Sequence, residues 1–394
     1  MDADGIRCMA STALRRGKHL RLKSLRVSGL KNVSDSMMSV LGKAAPYLEV
    51  LDLSYARQFH NSAIEAFVAC DPNDTAEALG VEIKSLSARE AGRENGNRDY
   101  YRRRVTRLRH LSLSCCILLT DMACANLAYS VPRLEFFEMA GINADLKDDG
   151  LIRLFRTTPH IRRIDLEDAL DITDRVLESI TPYIDPFTSK TSGATAMPGQ
   201  ALEHLILSHA NQITDEALLS LIRNCPRLKC LEADNTRMGA TVLREFVHLT
   251  RERNASDATI VAVDCRGISD SLTKELSEST RPRMGWRSHA ARKLMYLDAR
   301  DDSFEELKVG QDECDEKRVV VKSFYSWQTV DSVHAAREKR RRATKRVTSD
   351  NSDYEDSSWR TRWWSPSGRR LPNSGRDTPQ SATDINGNDG CLLM

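Results

Sequence analysis

The chain has 394 residues, 40% apolar and 29% charged, with a net charge of +2, which is enough apolar content for a sizeable core and no global preference for polyanions or polycations. No run approaches the ~20 apolar residues of a membrane span, and the acidic start Met1-Asp2-Ala3-Asp4-Gly5 is unlike a signal peptide. The ten cysteines show no paired spacing of a disulfide scaffold, so free thiols in a reducing, intracellular compartment are expected.

Residues 2–21 read as the helix half of a repeat, opened by Asp4-Gly5-Ile6 and closed near Leu20. They are either a helical cap or the start of the chain inside a longer array. From there the pattern L-x-x-L-x-L recurs at Leu22/Leu25/Val27, Leu48/Leu51/Leu53, Leu108/Leu111/Leu113, Leu134/Phe137/Met139, Ile161/Ile164/Leu166, Leu202/Leu205/Leu207 and Leu228/Leu231/Ala233. Where no insertion intervenes the steps are 26, 26, 27 and 26 residues, within the ~20–29 residues of leucine-rich repeats. A weaker eighth unit centres on Val261 and Val263.

A second signal keeps register with the first. An apolar residue precedes Asp or Asn by two positions at Val33/Asp35, Phe59/Asn61, Leu119/Asp121, Leu146/Asp148, Ile172/Asp174 and Ile213/Asp215. Asp and Asn accept orphan N–H bonds at helix starts, and apolar residues at helical spacing follow, as at Leu218, Leu221 and Ile222. Each unit is therefore a short strand, a turn, a capped helix and a return loop. One unit cannot bury its own leucines, so the units must stack. The expected fold is an α/β solenoid with a parallel sheet on its concave face.

The stretch Leu108-x-x-Leu111-x-Leu113-x-x-Cys116 with Leu119-Thr120-Asp121, and Ile213-Thr214-Asp215 with Asn224-Cys225-Pro226-x-Leu228, resembles the cysteine-containing, ribonuclease-inhibitor-like repeats of leucine-rich-repeat F-box proteins. The resemblance covers roughly residues 1–280 and implies a right-handed β-α superhelix. It also implies a substrate-recognition role in an SCF-type ubiquitin ligase. No segment of these 394 residues matches an F-box. Skp-type adaptor and cullin contacts are therefore expected only with an F-box upstream of residue 1.

Two insertions lengthen the array, at about 71–104, with Arg102-Arg103-Arg104, and at 185–200, which is rich in Pro, Gly, Ser and Thr. Both are expected to map to loops, often beside a binding face. After Arg281 the composition shifts, and all five tryptophans lie there. Residues 281–330 read as a C-terminal cap with strand-like stretches at Leu294–Leu297, Val319–Val321 and Phe324–Tyr325. Residues 331–347 read as a basic helix, and 348–394 as a disordered tail.

Candidate partner-binding residues are those flanking the second and third apolar positions of each strand: Arg26, Asp52, Ser112, Glu138, Asp165, Glu167, Ile206, Glu232 and Asp234. Alternation in a strand points them away from the core. From the fourth to the seventh unit most are acidic, which favours a basic protein target. The run Arg337, Lys339, Arg340, Arg341, Arg342, Lys345 and Arg346 has four open readings: a nuclear-localisation or nucleic-acid patch, a membrane contact, a solvated helix, or an autoinhibitor of the acidic face. Nucleic acid is not an expected partner.

The last four residues, Cys391-Leu392-Leu393-Met394, form a C-a-a-X box whose Met favours farnesylation of Cys391. The resemblance points to the fungal type of the family, in which such a tail occurs. One prenyl chain anchors only marginally. Trp359, Trp363, Trp364, Arg369 and Arg370 supply a second membrane signal. A peripheral membrane location from the cytoplasm is expected, with the nucleus as alternative. Ser365 and Thr378, each before proline, are phosphorylation candidates. No P-loop, G-x-S-x-G, H-E-x-x-H or zinc-ligand spacing occurs, so neither catalysis, metal nor cofactor is expected.

Overall fold

The structure is a computed structural model, and it describes residues 2–93, 100–142, 146–182, 196–276, 278–281 and 317–323. A first helix, α1 (Ala3–Arg15), is capped by Asp2, whose Oδ1 accepts from Gly5 N–H at 2.8 Å. Repeating strand–helix units follow. They are β1 (Ser24–Arg26) with α2 (Asp35–Ala44), and β2 (Val50–Asp52) with α3 (Asn61–Val68). After an insertion with α4 (Ala76–Leu79), β3 (Ile83–Ser87) and β4 (Tyr100–Arg104), the pattern resumes with β5 (His110–Ser112) and α5 (Asp121–Leu127). Then come β6 (Phe136–Glu138) with α6 (Asp148–Arg156), β7 (Arg163–Asp165) with α7 (Asp174–Ile180), and β8 (His204–Ile206) with α8 (Asp215–Asn224). The series ends in β9 (Cys230–Glu232) with α9 (Ala240–Glu252), β10 (Thr259–Ala262) with α10 (Asp270–Glu275), β11 (Thr280–Arg281) and β12 (Val319–Ser323).

Ten strands form one sheet in the order β1-β2-β5-β6-β7-β8-β9-β10-β12-β11, and every neighbouring pair is parallel. The alternation of strand and helix is that of an α/β solenoid. The register aligns Leu25, Leu51, Leu111, Phe137, Ile164, Leu205, Leu231, Ile260 and Val321 as one buried row between sheet and helices. Burying each such side chain contributes roughly 1.5–3 kcal/mol, so the leucine pattern is the principal source of cohesion. Of the expected eighth unit, the residue in the core row is Ile260, and Val261, also buried, stands in the row facing away from the helices, beside Glu232. The centre therefore lies one residue earlier than the sequence pattern implied, and a one-residue shift exchanges the two faces of a strand.

The turn after each strand has one residue in the left-handed region: Gly29, Tyr55, Cys115, Gly141, Asp168, His209, Asn235 and Asp264, with φ from 49 to 72°. Its N–H donates to the carbonyl of the next unit, as from Tyr55 to Ser114 at 2.8 Å and from Cys115 to Ala140 at 2.7 Å. These bonds offset the ~1–2 kcal/mol that a side chain costs in this conformation. Helix starts differ from the sequence expectation. The caps are Ser34, Thr120, Thr173 and Thr214, each accepting from a backbone N–H of the first turn. The following Asp is the first helical residue, and its carboxylate is turned to the next unit. Asp148 accepts from Thr173 N–H at 2.8 Å and Thr173 Oγ1 at 2.6 Å.

The described part of the first insertion, residues 71–93 and 100–104, packs on the helix side of the array. Strands β3 and β4 form an antiparallel hairpin, and Arg103 and Arg104 are buried. Arg104 Nη2 donates to the carbonyls of Ala66 at 3.0 Å and Phe67 at 2.7 Å, capping the end of α3. Arg102 donates to the carbonyls of Asp71 at 2.8 Å, Pro72 at 2.6 Å and Asp74 at 2.7 Å. The expected surface loop beside a binding face is thus a clamp: Arg102 and Arg104 hold backbone carbonyls, and Arg103 donates to Asn126 Oδ1 at 3.2 Å and lies 3.7 Å from Glu65. Of the second insertion, residues 196–200 are described, and most of it lies outside the described residues. So do most of the expected cap, the basic run from Arg337 to Arg346, Ser365, Thr378 and Cys391.

Candidate protein-binding face

Parallel register converts the repeat into straight rows of side chains across the strands. On the side of the sheet away from the helices, one row runs Arg26, Asp52, Ser112, Glu138, Asp165, Ile206, Glu232, Val261 and Lys322. The row beside it runs Ser24, Val50, His110, Phe136, Arg163, His204, Cys230, Thr259 and Val320. Glu167 and Asp234 stand two residues beyond the first row, in the turns after β7 and β9 respectively. Seven of the nine sequence candidates therefore fall in one row on one side of the sheet, and the other two lie in the turns beyond it.

Two of the nine are buried. Ser112 is 5% accessible because Ser54 covers it, their hydroxyls 2.8 Å apart, and Ile206 is 8% accessible among its strand neighbours. The acidic centre is also partly neutralised, by residues the sequence reading did not select. Arg163 Nε lies 3.8 Å from Glu138 Oε1, and its Nη2 lies 3.7 Å from Asp165 Oδ2. His110 Nε2 lies 3.8 Å from Glu138 Oε2. His110 and Arg163 hold the Glu138 carboxyl below the ordinary range despite partial burial. Burial pushes Asp165 up, with Arg163 opposing.

Uncompensated acid lies farther along. Burial, then the neighbouring carboxylates of Asp165 and Asp168, raises Glu167. Burial raises Asp234, although its Oδ1 accepts from Val263 N–H at 2.7 Å. Burial depresses His204, helped by Lys229 and Arg163. Burial and Glu232 push the Cys230 thiol up to about 12, which makes it a packing residue and not a nucleophile. Among the described residues no group of three His, Cys, Asp or Glu side chains is placed to hold a metal ion. Nor is any helix long and apolar enough to cross a membrane.

The sequence reading missed the apolar rim. The loops leaving the C-terminal ends of β2, β5 and β7 expose Tyr55, Ile117, Leu118 and Leu170. Aligning the repeats on Ala56, Cys116, Ala169 and Ala210 would have shown them. The next position is Arg57 or Asn211 in two units but Ile117 or Leu170 in the other two.

No family model matches the chain, and no curated protein matches it. Among solved structures, the chain is similar to one in the yeast Rad7–Elc1 complex, at 16% identity and a TM-score of 0.45. That match covers 67% of this chain and 55% of the other, so this chain spans about half the length of that relative. A second similarity is to the tropomodulin C-terminal domain of Caenorhabditis elegans, at 13% identity and a TM-score of 0.19, covering 76% of this chain and 98% of the other. Likenesses this distant assign neither activity nor partner.

Proposed function

We propose that the chain is a protein-binding receptor that recognises its target on the exposed side of the parallel sheet, as the substrate-recognition subunit of an SCF-type ubiquitin ligase. The observation that supports binding is the row from Arg26 to Lys322, which places side chains of successive strands in lateral register over one continuous face. At a strand spacing of ~4.8 Å, nine strands give a surface ~40 Å long. Stacked repeats use such faces for macromolecular partners. The ligase reading draws on the resemblance of the repeat pattern around Cys116 and Cys225. In this reading the chain has no catalytic role, and another subunit transfers ubiquitin.

The receptor is further proposed to reach membranes through a prenylated Cys391 supported by the nearby Trp and Arg residues. Affinity capture with the full chain tests the assembly. A target that Glu232→Lys with Asp234→Lys releases is expected, together with a Skp-type adaptor and a cullin where an F-box lies upstream of residue 1. Target capture with neither ligase component would support the rival reading, a prenylated or nuclear repeat scaffold without a ubiquitin role. For the tail, Cys391→Ser should move the protein from the membrane to the soluble fraction, and unchanged partition would exclude prenyl anchoring.

A further inference from the structure

Four of the six large apolar side chains exposed among the described residues gather on one edge of the sheet: Tyr55 at 61%, Ile117 at 51%, Leu118 at 41% and Leu170 at 40%. The strands are parallel, so the loops that leave β2, β5 and β7 all open on the same edge. Tyr55 is also held at φ 65°, a costly conformation for an aromatic residue, by its N–H bond to Ser114. From β2 to β7 is three strand spacings, or ~14 Å. That is the span of four or five extended residues.

The charge beside this ridge is one-sided. Glu167 and Asp168 precede Leu170, and Asp171 follows it. Among the described residues none of the three is in an ion pair with Lys or Arg. Asp168 has His209 Nε2 at 3.9 Å, and Asp171 accepts from Gln212 Nε2 at 3.4 Å. The nearest strand cation, Arg163, faces Glu138 and Asp165. Arg57 stands at the opposite end, on the loop after β2.

We infer that this edge is the docking site for a short linear segment of a partner protein, with bulky apolar side chains on Tyr55, Ile117, Leu118 and Leu170 and Lys or Arg beside Glu167, Asp168 and Asp171. The inference rests on the receptor reading and gives it a substrate class: a basic-apolar peptide motif. The three carboxylates select against an anionic lipid surface, which would meet like charge at the same place. They equally favour a cationic partner over a second copy of this chain, whose own edge carries the same acids.

The test uses a displayed library of random 12-residue peptides, selected on the full chain. Enriched peptides should pair bulky apolar residues with Lys or Arg. Ile117→Ser with Leu118→Ser should weaken a selected peptide at least 10-fold. Glu167→Lys with Asp168→Lys should do the same, and Leu170→Ser should weaken it on a separate loop. All these side chains are surface groups, and unchanged melting curves confirm folding. Peptides that respond only to Glu232→Lys with Asp234→Lys overturn the edge site while leaving the receptor reading intact. The edge site also falls if no peptide is enriched, if anionic vesicles bind through Ile117 and Leu118, or if a dimer is abolished by their replacement. Loss of both the peptide and the face-dependent target would instead overturn the receptor reading.

Discussion

The carboxylate of Asp174, the first residue of α7, accepts from both the backbone N–H and the hydroxyl of Thr214, each at 2.8 Å, and Thr214 in turn caps α8. One aspartate therefore ties two neighbouring units through the cap of the second. The same relationship links Asp148 to Thr173, Asp215 to Gly239 N–H at 2.9 Å, and, with an amide in place of the acid, Asn61 to Thr120 N–H at 3.0 Å. Asp174→Ala removes two hydrogen bonds between units and loosens a cap. The expected loss is about 1–2 kcal/mol, read from urea denaturation. Asp174→Asn keeps one acceptor oxygen and should lose about half of that. Equal stability of Asp174→Ala and the parent chain would show that the ladder does not couple the units.

Arg104 lies buried against the end of α3 with its Nη2 shared between two carbonyls, and Gly42 on α2 lets the helices close over it. A Cβ at Gly42 would stand 2.2 Å from the Phe67 carbonyl oxygen and 2.9 Å from Arg104 Nη2. Arg104→Ala should cost about 2–3 kcal/mol by thermal or urea denaturation, through two charge-assisted bonds and the vacated volume. Gly42→Ala should destabilise the same contact by forcing α2 away from α3. A surface arginine patch would give neither effect, so two unchanged midpoints would refute the clamp.

These two cases mark what the sequence carried. The buried row was legible because a period near 26 residues repeats one physical demand, a leucine wherever sheet meets helix. The position of the Asp ladder was legible too, but its role was not. A capping preference is local, whereas the acceptor at Asp174 serves Thr214, 40 residues away. The run Arg102–Arg104 read as a loop because charge normally marks solvent. What reverses this is a set of carbonyls on α3 and the loop after it, which no local pattern announces. Of the nine candidates, seven share one row on the side of the sheet away from the helices, and Glu167 and Asp234 lie in the turns beyond it. The neutralisation of Glu138 by Arg163 comes from the adjacent strand, 25 residues on, and depends on register.

Burial rather than motif decides thiol chemistry. Desolvation pushes Cys116 up to about 11, although backbone N–H groups near Tyr55 and Ala56 oppose it, and pushes Cys225 up to about 12. Cys8, by contrast, is exposed on α1. Iodoacetamide at pH 8 should label Cys8 readily and leave Cys116 and Cys225 unmodified until denaturant is added, as read by peptide mass spectrometry. Native-state labelling of Cys116 at a rate like that of Cys8 would contradict its packing against Leu53, whose carbonyl accepts from its Sγ at 3.3 Å.

Glu138 and Glu167 belong to neighbouring units yet should respond oppositely to pH. The folded state holds the Glu138 carboxyl below its ordinary value of 4.5, so its ionised form stabilises the fold. That contribution is complete above pH 4.5 and is lost as pH falls through the lower folded value. Glu138→Gln should therefore cost about 0.5–1 kcal/mol at pH 7 and converge with the parent chain as pH falls through the lowered folded value. Glu167 is raised above 4.5 by burial and by Asp165 and Asp168, so its ionised form works against the fold at pH 7. Glu167→Gln should then be as stable as the parent chain or slightly more so at pH 7, with the gain fading as acid protonates the parent glutamate. Denaturation midpoints at pH 7, 5 and 4 decide this, and an equal loss in both variants at pH 7 would refute it. The same sign carries to binding. A cation placed beside Glu167 favours its ionised form, so affinity for a basic partner should fall as pH drops through the raised value.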